Sequence, residues 1–382
     1  MTPASTCQSG KGVPLTPTLI TTAADLADLN TRLLRAEAVA LDTEFFWERT
    51  FYPVLGLVQL ATPDGCWLVD AVCLKDLSAL APLIASPSVT KVLHDAPLDL
   101  TILARATGAV PRSVFDTRLA AGFAGLSATL SLQALLQEVL GVTIAKGETR
   151  SNWLRRPLSE NQIRYAAEDV VHLLPLREAL LARCAGKRSR NWLDQELARL
   201  DDPAHYEESP PEERFRRVKG AARLNRRHLA LLREVAGWRE REARRRDWPR
   251  NHVLPDPVMV TIALRGPADV RALMAVPGFP SRMPAKLVGQ ILAAVERGKA
   301  LPESACPDPS DRNPATARAL KEPTDRLLAH LRIACEKEGI DPAWIASRNE
   351  AESLVQSLAR GDASAHPLMR DWRQTLLAGF TL

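Results

Sequence analysis

The sequence predicts an α/β domain, with a mixed sheet and accompanying helices, followed by two small all-helical modules. In the first half of the 382-residue chain, short apolar segments of strand length alternate with segments in which apolar residues recur at helical spacing. After residue 224 only the helical spacing continues. Two polar, proline-bearing segments, residues 201–212 and 302–323, interrupt the pattern and mark boundaries. A chain of this length commonly forms two or three domains.

Six segments of the first half are predicted strands. They cover residues 18–20, 39–45, 57–61, 66–69, 89–94 and 113–116. The sequence Thr-Pro-Asp-Gly between the third and fourth strands is typical of a tight turn and predicts a hairpin. Strands two to four are therefore expected to run antiparallel in sequence order, whereas the order of all six in the sheet does not follow from the pattern.

Side chains that cap helices mark several helix starts. Thr22 precedes a helix that runs to about residue 34, and Ser131 and Ser159 begin helices in the segment before residue 185. The uncharged run 119–137 is long enough to raise the question of a membrane span. Its Ser, Thr and Gln residues and its two glycines instead favour two short buried helices around a turn.

Six segments follow from these boundaries. They are a flexible tail (1–16), the α/β domain (17–205), a basic linker (206–223), a helical module (224–301), a second linker (302–323) and a second helical module (324–382). The tail lacks an apolar stretch, so no secretory signal is expected. The six cysteines form neither a CxxC pair nor a zinc-type cluster, which favours a reduced, cytoplasmic protein.

Positive charge is concentrated in one part of the chain. Residues 1–212 hold 20 Lys and Arg against 25 Asp and Glu, residues 213–250 hold 14 against 5, and residues 251–382 hold 16 against 15. The net charge of +5 therefore conceals an acidic first half followed by a strongly basic segment. Such a division suggests a catalytic or metal-binding unit joined to a segment that meets a polyanion.

Two acidic side chains lie within the second predicted strand. Asp42 and Glu44 are two residues apart, so both project from the same face of the sheet. Buried carboxylates that face each other repel, and divalent cations that prefer oxygen ligands compensate for this repulsion. The strand therefore indicates a metal site.

Two further acids follow at separated positions. Asp99 lies at the start of the helix after the strand 89–94, where side chains can converge on a cleft. Asp169 shares one helical face with Tyr165, four residues earlier. Each acid taken singly has a common structural explanation, as a helix cap, a solvated residue or a strand-end acid. The set, in this order and at these separations, is more informative.

The set resembles the three exonuclease motifs of the DEDD superfamily, which are L-D-T-E-F, H-x-x-x-x-D and Y-x-x-x-D in that order. Further segments extend the resemblance to the bacterial ribonuclease D family, and the tyrosine before the last acid is similar to the tyrosine subgroup. The matching segments are A-L-D-T-E-F at 40–45, V-Q-L at 58–60, K-V-L-H-D-A-P-L-D-L at 91–100, F-D-T at 115–117, S-N-W-L-R-R-P-L at 151–158 and Y-A-A-E-D-V at 165–170.

The resemblance implies a ribonuclease H-like fold and 3′→5′ hydrolysis of RNA with two divalent cations, Mg²⁺ or Mn²⁺, releasing nucleoside 5′-monophosphates. By the same resemblance Asp42 bridges both cations, while Glu44 and Asp169 complete the site on the side of the nucleophile. Asp99 helps to hold the second cation through water. Tyr165 orients the attacking water, because an unperturbed phenol is too weakly acidic to serve as a free base.

The segment around residue 152 departs from the family at one position. The family commonly has Asp where this chain has Asn152, so we assign this residue to no metal. Trp153 and Arg155 are candidates for contact with the RNA end, with a packed tryptophan and a surface arginine as alternatives of equal weight. His94 and His172 are expected to be hydrogen-bonded neighbours of the site, because hard cations do not need imidazole ligands.

The basic segment also carries a resemblance. The pattern L-x-x-L-R-x-x-x-x-W-R-E at 229–240 and the residues up to 251 are similar to the HRDC domain that follows the nuclease domain in this family. Such a domain implies a grip on RNA and no chemistry of its own. Residues 324–382 resemble the second, more divergent helical domain of the family, so the resemblance spans about residues 17–382.

Two arginines of this segment, Arg226 and Arg245, are candidates for contact with RNA. Favourable i, i+4 pairs, Glu240 with Arg244 and Glu242 with Arg246, are expected to neutralise part of the positive charge within the helix. A solvated, salt-bridged helix face is therefore an alternative of even weight.

These resemblances predict an enzyme that trims the 3′ ends of precursor tRNA and other small RNAs. The enzyme is expected to be a monomer, to bind no membrane and to use no nucleotide cofactor. An exonuclease for single-stranded DNA is one alternative, because the acids do not sense the 2′-hydroxyl directly. A non-catalytic RNA-binding protein is another, and the presence of all five matched positions counts against it. The order G-x-x-x-x-G-K-[ST] is absent, which argues against a nucleotide-driven motor.

Overall fold

The computed structural model describes residues 16–144, 147–148, 151–309 and 314–382. The predicted tail, apart from residue 16, lies outside these residues. The chain forms two compact units: unit 1 contains the residues up to Phe46, Leu55–Tyr206 and Pro323–Leu382, and unit 2 contains Trp47–Val54 and Glu207–Glu322.

Unit 1 is built on a six-stranded mixed sheet in the order β1-β4-β3-β2-β5-β6. The strands are β1 (Thr18–Ile20), β2 (Ala38–Phe46), β3 (Val54–Thr62), β4 (Gly65–Asp70), β5 (Thr90–Leu93) and β6 (Val114–Asp116). The predicted hairpin is confirmed, because β3 and β4 pair antiparallel with Thr62 opposite Gly65. Parallel pairs join β1 to β4, β2 to β5 and β5 to β6. The predicted α/β class is therefore confirmed.

Helices surround this sheet. In the first part of unit 1 they are α1 (Ala23–Leu33), α2 (Ala71–Leu74), α3 (Ala81–Ala85), α4 (Pro97–Thr107), α5 (Thr117–Phe123), α6 (Leu132–Leu140), α7 (Glu160–Val171), α8 (Leu173–Cys184) and α9 (Arg188–Arg199). The predicted caps are confirmed, since the hydroxyls of Thr22, Ser131 and Ser159 each accept a backbone N–H in the first turn of α1, α6 and α7. The uncharged run forms α5 and α6 around a turn, as predicted.

The two faces of the sheet bury different side chains. Val39 and Leu41 of β2 belong to the larger core of unit 1. The side chains of Asp42 and Glu44 have the opposite parity and project from the other face, where α7 packs against β2. A smaller buried cluster that includes Trp153 lies on the strands β3 and β4. Within the described residues, none of the helices combines the length and apolar character that a bilayer crossing requires.

Unit 2 is helical. Its helices are α10 (Arg226–Arg246), α11 (Arg250–Val253), α12 (Asp256–Arg265), α13 (Val270–Met274) and α14 (Ala285–Ala300). The segment Trp47–Val54, which connects β2 to β3, belongs to this unit and buries Phe51 in its core. Its Phe51 and Tyr52 backbone N–H groups each donate to the Asp247 carboxylate at 3.0 Å. This placement depends on contacts almost two hundred residues apart and had no signal in the sequence.

Three helices close the chain: α15 (Pro314–Glu338), α16 (Arg348–Arg360) and α17 (Asp371–Leu376). The start of α15 lies inside the predicted linker 302–323, so residues 314–323 are helical. Proline is well tolerated at a first helical position, and the alanines at 315, 317 and 319 favour a helix. The prolines and polar residues dominated the composition and obscured this helix start.

Candidate active site

The site begins on β2. Single oxygens of the carboxylates of Asp42, Glu44 and Asp169 lie within 4.8 Å of one another, and all three residues are half-buried. Two of these acids are neighbours because of the two-residue period of the strand, and the third reaches them from α7. The predicted cluster is therefore assembled from two elements whose acids are more than 120 residues apart in sequence.

Asp99 lies in the first turn of α4 and adjoins the cluster. Its carboxylate accepts a hydrogen bond from the Thr43 hydroxyl, between the two acids of β2. The start of α4 is held in turn by Asp116, whose carboxylate accepts the backbone N–H groups of Asp95 at 3.1 Å and Ala96 at 2.9 Å. Asp116 was part of a matched motif, but its role in holding the helix start was not predicted.

Tyr165 and Asp169 share one face of α7, as their spacing predicted. The Tyr165 hydroxyl forms a hydrogen bond with the Asp169 carboxylate, which favours the charged form of the acid. A capping box at Ser159 and Gln162 fixes the start of this helix. The Tyr165 ring lies 6.2 Å from the ring of Trp153, centroid to centroid.

The four acids share a strained electrostatic environment. Burial is the largest cause of a raised pKa in each, bringing Glu44 to about 9, Asp169 to about 7 and Asp99 to about 6. Burial also raises the pKa of Asp42 well above its usual range, and the charges of the other three acids raise it further. Divalent cations with a preference for oxygen ligands relieve both effects, so the donor set fits such cations.

Glu148 is a fifth acid near the cluster that the sequence reasoning missed. Its charge contributes to the raised pKa of Glu44, after burial, Asp169 and Asp99. Its carboxylate accepts a hydrogen bond from the Ser151 hydroxyl. In the sequence, Glu148 could have been recognised from its position four residues before Asn152, in the segment that leads into S-N-W-L-R-R-P-L.

A buried ion pair holds this segment against the sheet. The Arg156 guanidinium donates to both oxygens of Asp70, at 2.5 and 2.8 Å, and to the backbone oxygens of Gly56 and Trp153, each at 2.8 Å. Gly56 is needed here because a Cβ would lie 2.6 Å from the Trp153 carbonyl oxygen. None of these partners was predicted, because they are distant in sequence.

Asn152, Trp153 and Arg155 differ in exposure and in their contacts. The Trp153 side chain is 1% exposed and packs near Tyr165, which favours the interpretation of a packed tryptophan. Arg155 is exposed and forms no ion pair with any residue the structure describes, so it stays a candidate. Asn152 is exposed, and its side-chain oxygen accepts the Leu154 backbone N–H at 3.1 Å in a local turn.

The two histidines, His94 and His172, lie next to groups outside the acidic cluster. His94 shares a hydrogen bond of 3.0 Å with the Thr117 hydroxyl, and burial lowers its pKa to about 4. His172 lies between α7 and α8, and burial lowers its pKa as well. Neither belongs to the cluster of ligand atoms around Asp42 among the described residues.

The candidate RNA contacts on α10 are engaged within the protein. Arg226 pairs with Asp308 at 2.9 Å and donates to the Glu303 and Cys306 carbonyls, which fastens residues 303–308 to the helix start. The Arg226 side chain is 40% exposed despite these contacts, and its contact with RNA stays a prediction. Arg245 pairs with Glu242 at 2.8 Å, although its side chain is 64% exposed.

Both predicted intrahelical pairs are present. Arg244 lies 3.4 Å from Glu240, and Arg246 pairs with Glu242. Each of these two glutamates has several arginine partners, so part of the basic segment is neutralised internally. The long-range partners of Glu240 were not predicted, since only the i, i+4 relationship can be read from sequence.

Two family models match the chain. A 3′-5′ exonuclease family matches residues 17–184, and the HRDC domain matches residues 228–295. These matches cover the part of unit 1 that holds the acids and most of the helices of unit 2.

Similar proteins cover nearly the whole chain. Ribonuclease D of Desulfotalea psychrophila is 38% identical over 363 residues, covering 95% of this chain and 96% of the relative. Ribonuclease D of Escherichia coli is 36% identical over 366 residues, covering 94% and 96%. The crystal structure of Escherichia coli RNase D, described as an exoribonuclease involved in structured RNA processing, matches with a TM-score of 0.81, 32% identity and coverage of 95% and 96%. The catalytic core of RRP6 from Trypanosoma brucei shares the fold, with a TM-score of 0.58 and 23% identity.

The motifs, the acidic cluster and these similarities agree with one another. The expectation of a DEDD-type exonuclease unit followed by an HRDC domain is confirmed. The chain belongs to the ribonuclease D family and is a metal-dependent 3′→5′ exoribonuclease.

Proposed function

We propose that this exoribonuclease trims the 3′ ends of precursor tRNA and other small RNAs in the cytoplasm, as a monomer, with two Mg²⁺ or Mn²⁺ ions. The single observation that carries its metal chemistry is the convergence of the Asp42, Glu44 and Asp169 oxygens within 4.8 Å. The relatives' name and the description of one as acting in structured RNA processing support the choice of substrate.

Each acid has a role that fits its place. Asp42 projects between the other acids and would bridge both cations, while Glu44 and Asp169 would complete the site on the nucleophile side. Asp99, held by Thr43, would hold the second cation through water. When bound, the cations supply an activated water and stabilise the charge that develops on the scissile phosphate and the leaving 3′ oxygen.

Tyr165 would position the attacking water. Its hydroxyl is held by Asp169, so its location is determined by α7 and not by the substrate. Because its single O–H is donated to Asp169, the phenol oxygen would accept a hydrogen bond from that water. Beneath it, Trp153 and the Arg156–Asp70 pair hold the surrounding segment in place.

The test is a cleavage assay with defined RNA ends. A tRNA with a 3′ extension, incubated with Mg²⁺ or Mn²⁺, should lose its extra nucleotides one at a time as 5′-monophosphates. The Asp42→Ala variant should release none, whereas Asp28→Ala, which removes an exposed acid on α1, should match the wild type. Release of nucleotides by Asp42→Ala at the wild-type rate would contradict the assignment of the acids.

The choice between RNA and DNA needs a separate experiment. An RNA and a DNA oligonucleotide of the same sequence should be offered together, and we expect the RNA to be degraded first. Equal degradation of both would favour the single-stranded DNA alternative, because the acids alone do not distinguish the two sugars. Faster loss of a generic single-stranded RNA than of the extended tRNA would contradict the tRNA assignment.

A further inference from the structure

A basic pocket lies wholly within unit 2, whereas the acidic cluster belongs to unit 1. It has a volume of about 330 Å³. Its walls come from the connection between β2 and β3, the segment before α10, α10 itself, and the region from the start of α11 to the start of α12. The lining residues that carry the argument are Trp47, Arg214, Arg217, Arg239, Arg250 and Asn251.

Four arginines converge on this pocket, and their charges are not fully balanced. The buried carboxylate of Glu240 serves Arg250 at 2.7 Å and Arg214 at 3.8 Å, and also Arg244. Three guanidinium groups therefore share Glu240, although Arg244 also pairs with Glu208 at 3.0 Å. Arg217 is exposed and has no acidic partner within the described parts of the chain.

The crowding of positive charge contributes to a lowered pKa of one guanidinium group. Burial lowers the pKa of the Arg214 guanidinium, and neighbouring guanidinium groups lower it further, against an opposing effect of Glu240. These neighbours are Arg250, Arg217 and Arg239. Like charges held this close are stabilised by an anion between them.

Arg239 adds an unused donor to the lining. Its side chain is 5% exposed, and one terminal nitrogen donates to Asp256 at 2.6 Å and to the Leu254 carbonyl at 2.9 Å. Its Nε–H is buried and has no hydrogen-bond partner among the described residues. A buried donor without a partner costs free energy.

An aromatic side chain stands at the same pocket. Trp47 is 48% exposed, although its indole N–H is tied to the Phe51 carbonyl at 3.1 Å. A tryptophan that is both fixed and exposed offers a face on which a base can stack. Cationic groups beside such a face are the combination by which proteins hold single-stranded nucleic acid.

We propose that this pocket binds a phosphate of the RNA backbone, with the adjacent base stacked on Trp47. The proposal rests on RNA being the substrate, and it adds a contact outside the acidic cluster. Two acids also line the pocket: Glu48, which is exposed and forms no ion pair within the described residues, and Asp256, which pairs with Arg239. The four arginines still outnumber them. Arg217 is the residue to change, since its guanidinium forms no ion pair with any residue in the described parts of the chain.

The test compares two single substitutions in the full-length chain. Arg217→Gln removes a pocket charge, and Arg271→Gln removes an exposed charge on α13, outside the pocket. Binding of a 20-nucleotide single-stranded RNA is measured by fluorescence anisotropy with Ca²⁺ at several salt concentrations. Arg217→Gln should weaken binding about threefold to tenfold and reduce the salt slope by about 0.7, while Arg271→Gln should do neither. Trp47→Leu should weaken binding without a change in the salt slope.

Two readouts separate this proposal from the function on which it rests. Cleavage of a tetranucleotide by the wild type with Mn²⁺ tests the nuclease without any variant of the pocket. If the wild type cleaves but Arg217→Gln binds the long RNA as tightly as the wild type, the pocket is not an RNA contact. Equal losses in both arginine variants would also overturn the proposal, since general charge would then explain them.

A third arm distinguishes the source of the phosphate. Inorganic phosphate and 5′-AMP are titrated into the complex with RNA. If Arg217→Gln altered displacement by 5′-AMP and left the affinity for RNA unchanged, the site would take the mononucleotide product, and the assignment to the RNA backbone would be wrong.

Discussion

Gly122 lies directly against the indole ring of Trp344, with no room between them for a Cβ at position 122. The Gly122 carbonyl accepts the Asp341 backbone N–H at 2.9 Å, and Asp341 accepts the Ala128 N–H at 2.6 Å. Helix α5 of the nuclease fold is thereby joined to the segment between α15 and α16. The same region is secured by Trp372, stacked on Trp192 at 5.3 Å.

Gly122→Ala is expected to destabilise the protein by about 1–3 kcal/mol, because the added methyl overlaps the Trp344 ring. Gly289→Ala is the matched control, since nothing lies within 4 Å of a Cβ at that position of α14 and alanine is the better helix former. Thermal unfolding measures both. A Gly122→Ala variant as stable as the wild type would show that the two elements separate at little cost.

Arg156→Gln is expected to destabilise by about 3–5 kcal/mol, because Asp70 would be left buried without its partner. Burial raises the pKa of Asp70, but the bonds from Arg156 and the Cys73 N–H outweigh it, so the pKa is lowered. The stabilisation is therefore present above about pH 4 and lost as the pH falls. Urea unfolding at pH 7 and pH 3 should show the difference between variant and wild type shrinking. Arg155→Gln, an exposed neighbour, should change little.

Tyr165→Phe is expected to lower kcat about tenfold to hundredfold with little change in KM, because the water loses an orienting hydroxyl while the acids remain. Steady-state cleavage of a short RNA measures the two constants separately. Tyr206→Phe removes a hydroxyl that donates to the Leu200 carbonyl, and it should leave kcat unchanged. A rise in KM alone for Tyr165→Phe would indicate a role in substrate binding.

Asp42→Asn is expected to abolish cleavage and to raise the stability of the metal-free protein by about 1–2 kcal/mol, because it removes one of several facing carboxylates. Mn²⁺ should raise the Tm of the wild type, since binding to the folded state stabilises it, and should raise the Tm of the variant far less. Scanning calorimetry with EDTA and with Mn²⁺ gives both values. An equal rise in Tm on addition of Mn²⁺ to the two proteins would show that the metal binds at another site.

Lys91 is expected to make stability depend on alkaline pH. Its buried ammonium donates to the Ser86 and Val89 carbonyls at 2.5 and 2.8 Å, and burial lowers its pKa from 10.5 to about 8. The unfolded chain binds more protons between these values, so stability should rise with pH from about 8 to about 10.5. Chemical denaturation measures stability at each pH, and Lys91→Gln should lack this rise. Lys286→Gln, which replaces an exposed lysine on α14, should retain it.

Local periodicity was enough to predict much of the site. The two-residue period of a strand placed Asp42 and Glu44 on one face, and the four-residue spacing placed Tyr165 beside Asp169. The hairpin at Gly65 was predicted in the same way, from neighbours in the chain. These relationships depend only on backbone geometry, which repeats identically wherever a strand or helix forms.

Relationships between distant residues were decided by the tertiary structure. Trp153 could have met RNA or packed in the core, and its 1% exposure favours packing. Arg226 is predicted to contact RNA, and its partners within the protein lie 77 and 80 residues away at Glu303 and Cys306. The same holds for the Arg156–Asp70 pair, which spans 86 residues.

By itself, then, the sequence determined the class of fold, the order of its motifs and the acids that form the cluster. Tertiary packing decided which basic and aromatic side chains serve the protein's own interior and which remain available to RNA. The physical reason is that a charge has no fixed role along a chain. Its partner is whichever group the fold brings within hydrogen-bonding distance, and the burial of that pair sets its strength.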